Sequence, residues 1–203
     1  MSKAFDVAVV GATGVVGESI LEILDQRNFP IGEIYALASE RSAGNQVDFG
    51  KKKLTVQDLS TFDFSRVQIG LFSAGGSISE EFVPKAAAAG CVVIDNTSHF
   101  RYQEDIPLVV PEVNPDAIAS YINQGIIANP NCSTIQMLVA LKPIYDAVGI
   151  KRINVCTYQA VSGAGKSALD ELVRQTSTLL NGRPIEIESD AKQIAFNAIP
   201  HID

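Results

Sequence analysis

The sequence predicts an α/β protein built on a doubly wound, mostly parallel β-sheet. Short apolar runs alternate along the chain with segments of helical periodicity. Most of these runs are apolar at consecutive positions rather than at every second one, as expected of strands that are buried on both faces. Both observations are typical of a parallel sheet that is covered by helices on its two sides.

Composition and charge exclude several functional classes. The chain has 203 residues, of which 46% are hydrophobic and 19% are charged, as in an ordinary globular protein. Its net charge of -7 argues against a nucleic-acid or membrane-surface partner, and no apolar run approaches membrane-spanning length. Three cysteines, an odd number, indicate reduced thiols and a cytoplasmic location. We expect residues 1–10 to contain a first strand rather than a signal peptide.

The first predicted strand, residues 5–10, ends in a glycine turn that opens a helix. Gly11 allows a tight turn, Gly14 allows the backbone to approach a pyrophosphate, and Gly17 allows close packing of helix on strand. The N–H groups at the start of the helix would hold the diphosphate. The strand, turn and helix together predict a Rossmann-like dinucleotide site. Its predicted cofactor-binding residues are Gly11, Thr13, Gly14, Val15 and Val16.

The end of the second predicted strand, residues 34–38, favours NADP(H) over NAD. An NAD-specific site would usually offer Asp or Glu to the ribose hydroxyls at this point. Arg41 can instead stack on adenine and pair with a 2′-phosphate, while Ser39 and Ser42 supply hydroxyl donors. Glu40 is a competing carboxylate that we expect to point outward.

The remaining elements divide the chain into two domains. Strands are predicted over 69–72, 91–94 and 126–128, with a helix over 80–89. We predict that residues 1–132 form the NADP-binding domain and that residues 133–203 begin an α+β domain, with a strand over 152–158 and a helix over 166–180. One strand and one helix cannot bury their own apolar faces. We therefore expect this second domain to be incomplete in a truncated chain, or to be covered by a partner.

Cys132 stands where a loop enters a helix. Asn129 and Pro130 form a turn, and helical spacing begins at Ser133. The thiol would lie among backbone N–H groups without intrahelical partners, at the positive end of the helix dipole. This position favours the thiolate, which is the nucleophilic form. Cys91 and Cys156 lie in apolar, strand-like runs, and we expect both to behave as small hydrophobic residues.

Two other phosphate or nicotinamide chemistries are less compatible with the sequence. Short-chain dehydrogenases need a Tyr with a Lys four residues later, and none of the five tyrosines has that partner. The segment 160–167 imitates a nucleoside-triphosphate P-loop, but Ala160 stands where the pattern requires Gly. No acidic strand for Mg²⁺ follows it. We interpret this turn as a glycine loop near a nicotinamide.

The polar loop 96–101 contains a candidate anion ligand, Arg101. By itself, an arginine in such a loop is more often a solvated surface residue. The two histidines, His99 and His201, have no metal-ligand spacing, and we predict no metal site.

Six stretches in this order resemble the aspartate-β-semialdehyde dehydrogenase family over the whole chain, which would correspond to the N-terminal part of a family member. They are residues 11–17, 39–42, 73–76, 96–101, 129–134 and 159–165.

The resemblance implies reductive dephosphorylation of L-aspartyl-4-phosphate to L-aspartate-4-semialdehyde with NADPH, in lysine, methionine and threonine biosynthesis. It implies that Cys132 is the acylated nucleophile, that Arg101 and Asn131 hold the phosphate, and that Gln159 orients the substrate. It also implies a homodimer formed through the second, catalytic and dimerisation domain. The NADP ligands that it implies are Thr13 to Val16, Arg41, Ser42, Ser73, Ser162 and Gly163.

Two alternatives stay open. N-acetylglutamyl-phosphate reductases share the chemistry but usually carry Pro-Gly-Cys-Tyr at the nucleophile, so the sequence Asn131-Cys132-Ser133-Thr134 favours the aspartate branch. The resemblance places a His general base and further substrate ligands beyond residue 203, so we expect weak or no turnover from the chain as written. The second alternative is therefore a shortened paralogue that binds NADP without catalysis.

Overall fold

The computed structural model describes residues 4–187 and 192–200. The chain divides into two compact units, Met1–Thr157 and Tyr158–Asp203, and each is described by itself. His201 lies outside the described residues. The domain boundary between residues 132 and 133 stays a prediction.

The first unit alternates strands with helices. In chain order its elements are β1 (Phe5–Val10), α1 (Val15–Gln26), β2 (Ile31–Ala38), β3 (Gln46–Phe49), β4 (Lys52–Thr55), β5 (Gln57–Asp58), β6 (Ile69–Phe72), α2 (Gly76–Ala88), β7 (Val92–Asp95), β8 (Ile126–Ala128) and α3 (Cys132–Val148). Single turns of 3₁₀ helix lie between them, and a longer 3₁₀ segment covers Pro115–Asn123.

Six strands form one sheet in the order β5-β2-β1-β6-β7-β8. Every strand pairing in it is parallel. The chain moves outward from β1 to β2 and then crosses back to β6, so the strand order reverses between β1 and β6. Ligands of doubly wound sheets bind at the carboxyl ends of the strands at such a reversal. The predicted doubly wound parallel sheet is confirmed.

Side chains on the two faces of β1 pack into two separate cores. Val7 and Val9 pack with Leu21 of α1 on one face, whereas Val10 packs with Val83 of α2 on the other, and all five are fully buried. Burying one such aliphatic side chain stabilises the fold by about 1.5–3 kcal/mol. Helices thus cover both sides of β1, as its uninterrupted apolar run predicts.

An antiparallel hairpin of β3 and β4 packs beside α1 and was not predicted. The pair Phe49 and Lys52 closes a two-residue turn, and Val47 joins the same buried cluster as Leu21 of α1. Most other residues of these strands are polar and exposed, so their sequence lacks the apolar run on which the strand predictions depend.

The predicted strand over 152–158 is wrong. Residues 152–160 form no regular secondary structure, and Ile153 and Val155 are 47% and 60% exposed. A strand needs a neighbour to satisfy its backbone groups, and the part of the chain that the structure describes supplies none here. Cys156 is consequently exposed rather than buried.

The second unit centres on α4 (Lys166–Leu180), which confirms the helix predicted there. The buried side chain of Gln175 holds the following segment against it, because its Oε1 accepts hydrogen bonds from the N–H groups of Ile194 at 2.8 Å and Ala195 at 3.1 Å. On the surface of α4, Arg174 donates to Glu171 at 2.6 and 2.7 Å. Hydrogen bonds from Arg174 and Gln175 lower the pKa of Glu171 to about 2.

None of the helices that the structure describes combines the length and the apolarity needed to span a bilayer.

Candidate functional site

The predicted site residues of the first unit follow the carboxyl ends of the parallel strands. The first backbone N–H after each of four strands donates to the carbonyl of the last or next-to-last residue of the neighbouring strand. These bonds run from Gly11 to Leu37 (2.9 Å), from Ser73 to Val10 (3.0 Å), from Asn96 to Phe72 (2.9 Å) and from Asn129 to Asp95 (2.8 Å). They extend the sheet into its loops, so the loops are fixed relative to one another.

The glycine turn between β1 and α1 has the close contacts expected of a dinucleotide loop. Gly11 has φ +86°, and a Cβ there would lie 3.0 Å from the backbone of Ser73 and Ala74. A Cβ on Gly17 would lie only 2.1 Å from the carbonyl oxygen of Gly11. Gly14 is the N-cap of α1, and no described side chain caps this helix. The first N–H groups of α1, near Thr13, Val15 and Val16, are therefore available to a ligand.

The loop after β2 presents the predicted adenosine-side residues. A 3₁₀ turn covers Glu40–Ser42, with Ser39 as its N-cap. Arg41 and Ser39 are exposed, and Ser42 is half-buried. Glu40 is exposed as well, as expected from its position.

Cys132 is the first residue of α3 and is exposed. Asn131 is the N-cap, and its Oδ1 accepts hydrogen bonds from the N–H of Ser133 at 3.0 Å and from its Oγ at 2.7 Å. The Cys132 Sγ lies 3.9 Å from the same oxygen. Cys91 differs in every respect, because it is buried in the core and its burial raises the thiol pKa to about 12.

Arg101 bridges the loops that follow β7 and β8. Its Nε donates to the carbonyl oxygen of Asn129 at 2.9 Å and its Nη2 donates to that of Asn96 at 3.3 Å. The side chain of Asn129 also donates to Asn96 Oδ1 at 3.3 Å. The guanidinium is therefore attached to the loop that leads into Cys132.

A cavity of about 180 Å³ joins the glycine-turn helix to these loops. Val16 and Ile20 of α1 line one side of it, and Asn96 and Asn129 line another. The cavity connects the predicted diphosphate-binding helix with the loops that hold Arg101.

The other predicted residues have different surroundings. Ser73 follows β6, and its Oγ donates to the Val10 carbonyl at 3.2 Å. Gln159, Ser162 and Gly163 belong to the second unit, where Ser162 and Gly163 lie in a 3₁₀ turn over Val161–Ala164. Among the described residues, no group of three or more His, Cys, Asp and Glu side chains could hold a metal ion.

Sequence reasoning missed a buried polar group beneath the Arg101 loop. Asp95, at the end of β7, is fully buried and accepts hydrogen bonds from Ser79 and Thr97. A single carboxylate that closes an otherwise apolar strand could have indicated it, because buried charges need hydrogen-bond partners.

Fold and site together define a dinucleotide-binding α/β protein with an exposed cysteine at the edge where the dinucleotide would bind. Residues 6–121 match the family described as "Semialdehyde dehydrogenase, NAD binding domain". Residues 141–203 match "Semialdehyde dehydrogenase, dimerisation domain". The chain belongs to the semialdehyde dehydrogenase family, and its NAD-binding domain supports a nicotinamide cofactor.

Individual relatives agree with this assignment. An aspartate-semialdehyde dehydrogenase of Shewanella sp. (strain DB6705) is 63% identical over the whole chain, which spans 60% of that protein. A crystal structure of aspartate semialdehyde dehydrogenase II complexed with ASA, from Vibrio cholerae, is 64% identical with a TM-score of 0.93, covering 100% of this chain and 60% of the other. A crystal structure of aspartate semialdehyde dehydrogenase with NADP, from Candida albicans, is 25% identical with a TM-score of 0.60, and the match covers 73% of this chain and 48% of that one. The chain thus spans about 60% of the length of these curated relatives.

Proposed function

We propose that this chain is the cofactor-binding and nucleophile-bearing part of an enzyme that reduces L-aspartyl-4-phosphate to L-aspartate-4-semialdehyde and releases inorganic phosphate. The reaction is reversible and serves lysine, methionine and threonine biosynthesis. The observation that carries the proposal is the exposed Cys132 at the start of α3, in a chain 63% identical to an aspartate-semialdehyde dehydrogenase.

The glycine turn fits a dinucleotide diphosphate. The positive φ of Gly11 and the close contact between Gly17 and Gly11 bring the start of α1 against the sheet. Uncapped N–H groups then point toward the space where a diphosphate would lie, and the helix dipole favours its negative charge. We assign Gly11, Gly14 and the residues from Thr13 to Val16 to this contact. We also assign Ser73, in the neighbouring loop after β6, to cofactor binding.

The cofactor proposed is NADP(H) rather than NAD. Arg41 is exposed in the 3₁₀ turn that follows β2, where its guanidinium can pair with a 2′-phosphate in two parallel hydrogen bonds. Ser39 and Ser42 flank it as hydroxyl donors. The Candida albicans relative with NADP supports the same choice. When bound, NADPH supplies the hydride.

Cys132 performs the covalent step. Its thiolate attacks the acyl-phosphate carbonyl carbon, forms a C–S bond and expels inorganic phosphate as the C–O bond breaks. The resulting thioester accepts hydride readily, because sulfur donates less resonance to its carbonyl than oxygen does. Hydride addition gives a tetrahedral thiohemiacetal anion on Cys132. Its collapse breaks the C–S bond, releases the semialdehyde and restores the thiolate.

Arg101 and Asn131 would hold the leaving phosphate. The Arg101 guanidinium is held by two backbone carbonyls, and a cation fixed in this way loses little conformational entropy when it binds an anion. Asn131 Oδ1 is engaged by Ser133, which leaves the amide nitrogen of Asn131 as the donor for phosphate.

The second unit supplies the remaining proposed contacts. Gln159 would orient the substrate, while Ser162 and Gly163 would contact the cofactor. We propose a boundary near residue 132 between the cofactor domain and the catalytic and dimerisation domain, and a homodimer formed through the latter, as the family match over residues 141–203 supports. Free thiols persist in a reducing compartment, which favours the cytoplasm.

The test is an intact-mass measurement of the purified chain after its incubation with L-aspartate-4-semialdehyde and NADP⁺ in the absence of phosphate. Oxidation then stops at the thioester, so we expect a mass gain of one aspartyl group, mapped to the Cys132 peptide and discharged by inorganic phosphate. In the complete enzyme, Cys132→Ala should abolish turnover, while NADPH binding stays nearly unchanged.

Cys156→Ala is the matched control, because Cys156 is also an exposed thiol. This variant should keep the adduct. An adduct that forms with N-acetylglutamate semialdehyde instead would favour the reductase alternative. NADPH binding without any adduct would favour a non-catalytic module, and full activity of Cys132→Ala would remove the nucleophile assignment.

A further inference from the structure

We propose that Asp95 is a positioning residue for Arg101 and acts through Thr97 and the loop that both residues order. The inference rests on the proposed function, in which Arg101 holds phosphate. Asp95 itself does not touch the substrate, because its side chain is fully buried.

The carboxylate of Asp95 is the centre of a compact buried network. Its Oδ1 accepts from Ser79 Oγ of α2 at 2.8 Å and from the N–H of Thr97 at 3.2 Å. Its Oδ2 accepts from Thr97 Oγ1 at 2.7 Å. Ser79 is fully buried and Thr97 is 9% exposed. Hydrogen bonds to a carboxylate that are shielded from water are among the stronger ones in proteins.

Asp95 is linked to two backbone carbonyls to which Arg101 donates, to one through its side-chain network and to the other through its backbone. The side chain of Asp95 holds Thr97, which is adjacent to Asn96, and Asn96 supplies one of the two carbonyls. The carbonyl of Asp95 accepts from the N–H of Asn129 at 2.8 Å, and Asn129 supplies the other carbonyl. Only the link to Asn96, through Thr97, depends on the side chain of Asp95, and it is the link that the positioning role uses.

A purely structural role makes a different prediction. Burying a carboxylate is costly unless it is fully hydrogen-bonded, and β7 could end in an apolar residue that packs as Val93 does. A structural role would change stability alone. A positioning role would change phosphate affinity at constant cofactor affinity.

The experiment measures the apparent Kd for inorganic phosphate, read from protection of Cys132 against iodoacetamide with peptide mass mapping. Thr97→Val is nearly isosteric and removes the hydroxyl that donates to Asp95 at 2.7 Å and accepts from the N–H of His99 at 3.4 Å. We expect the Kd for phosphate to rise about tenfold, as loss of a hydrogen bond to a charged group allows. Thr97→Ser keeps the hydroxyl and should restore binding, and NADPH affinity should stay within about twofold of wild type in both variants.

Ser60→Ala is a matched control. Like Thr97, Ser60 donates twice to an aspartate two residues before it at the end of a strand. Its N–H donates to Asp58 Oδ1 at 2.9 Å and its Oγ donates to Asp58 Oδ2 at 2.7 Å. It should leave phosphate binding unchanged. Should Thr97→Val fail to fold, Ser79→Ala is the second variant. It removes the other hydroxyl partner of Asp95 and should also raise the Kd for phosphate.

A double-mutant cycle separates this inference from the proposed function. In an Arg101→Ala background, Thr97→Val should have no further effect, because the group that it positions is gone. An undiminished effect in that background, or a lower Tm with unchanged phosphate Kd, overturns the positioning role. If Arg101→Ala itself leaves phosphate protection intact, or wild type shows none, the proposed phosphate site fails instead.

Discussion

Asn131 combines a folding role with a proposed ligand role in one side chain. Its oxygen caps α3 through the N–H of Ser133, and the nitrogen of the same amide is the proposed phosphate donor. Because the two roles use different atoms, substitutions can separate them.

Asn131→Asp should keep the cap and lose the ligand. Asp caps helices about as well as Asn does, so we expect the free energy of unfolding to stay within about 0.5 kcal/mol, whereas Asn131→Ala should lower it by about 1 kcal/mol. Both variants should weaken phosphate binding, the aspartate more because its charge repels phosphate. Urea unfolding and phosphate protection of Cys132 measure the two effects. Wild-type phosphate affinity in Asn131→Asp would contradict the ligand role.

At the scale of elements, α1 lies against β1 because Gly17 has no side chain. A Cβ there would meet the backbone of Gly11 at 2.1 Å and that of Ala12 at 2.8 Å. Neither of these backbone groups is a flexible side-chain end, so helix and strand must separate to admit the atom.

Gly17→Ala should therefore destabilise the first unit by about 1–3 kcal/mol and weaken NADPH binding, because the start of α1 moves away from its loop. Gly76→Ala is the control, since the nearest atom to a Cβ there is 4.0 Å away. Gly76 is the first residue of α2, where helix propensity counts for less than in the interior, and we expect the free energy of unfolding to change by no more than about 0.5 kcal/mol. Thermal unfolding and NADPH titration measure both variants, and equal behaviour of the two would contradict the packing argument.

The same scale explains which elements the sequence could predict. The strands at β1, β6 and β8 follow their apolar runs, because a strand buried on two faces leaves no place for polar residues. The hairpin of β3 and β4 escaped prediction because only one face of it is buried. The strand predicted over 152–158 is wrong because apolar residues form a strand only where a neighbouring strand pairs with them, and none does so here among the described residues.

The candidate site residues divide along similar lines. The glycine turn and Cys132 could be found in the sequence because their chemistry depends on local backbone geometry. The position of Arg101 could not, because it depends on carbonyls from two separate loops. Asp95 and Ser79, 16 residues apart, form a contact that only the fold creates.

At the scale of the whole molecule, Glu171 of the second unit predicts an acid response of α4 that amides of β1 in the first unit do not share. The pKa of Glu171 is lowered from 4.5 to about 2, first by its hydrogen bond from Arg174. The stabilisation that this gives is present above pH 4.5 and is lost as the pH falls toward 2. We expect amides of α4 to lose some hydrogen-exchange protection over this range relative to amides of β1.

The expected effect is small, because the ion pair is exposed to solvent. Glu171→Gln cannot form the ion pair and should flatten the pH dependence of α4 without changing that of β1. Hydrogen exchange followed by mass spectrometry, with both peptides in one sample, supplies the comparison. A variant that retains the wild-type pH dependence would assign the acid response to other groups.

The backbone bonds that join each loop to the neighbouring strand have a consequence for engineering. Four loops of the candidate site begin with a backbone hydrogen bond that continues the sheet, at Gly11, Ser73, Asn96 and Asn129. Pro130 comes directly after the last of these four positions. Proline at any of those four positions would remove the backbone hydrogen bond, and an insertion before one of them would shift the register of the loop residues that follow. Specificity can therefore be redesigned by substitutions other than proline in these loops, and by insertions placed after the first loop residue, because both leave the four backbone hydrogen bonds in place.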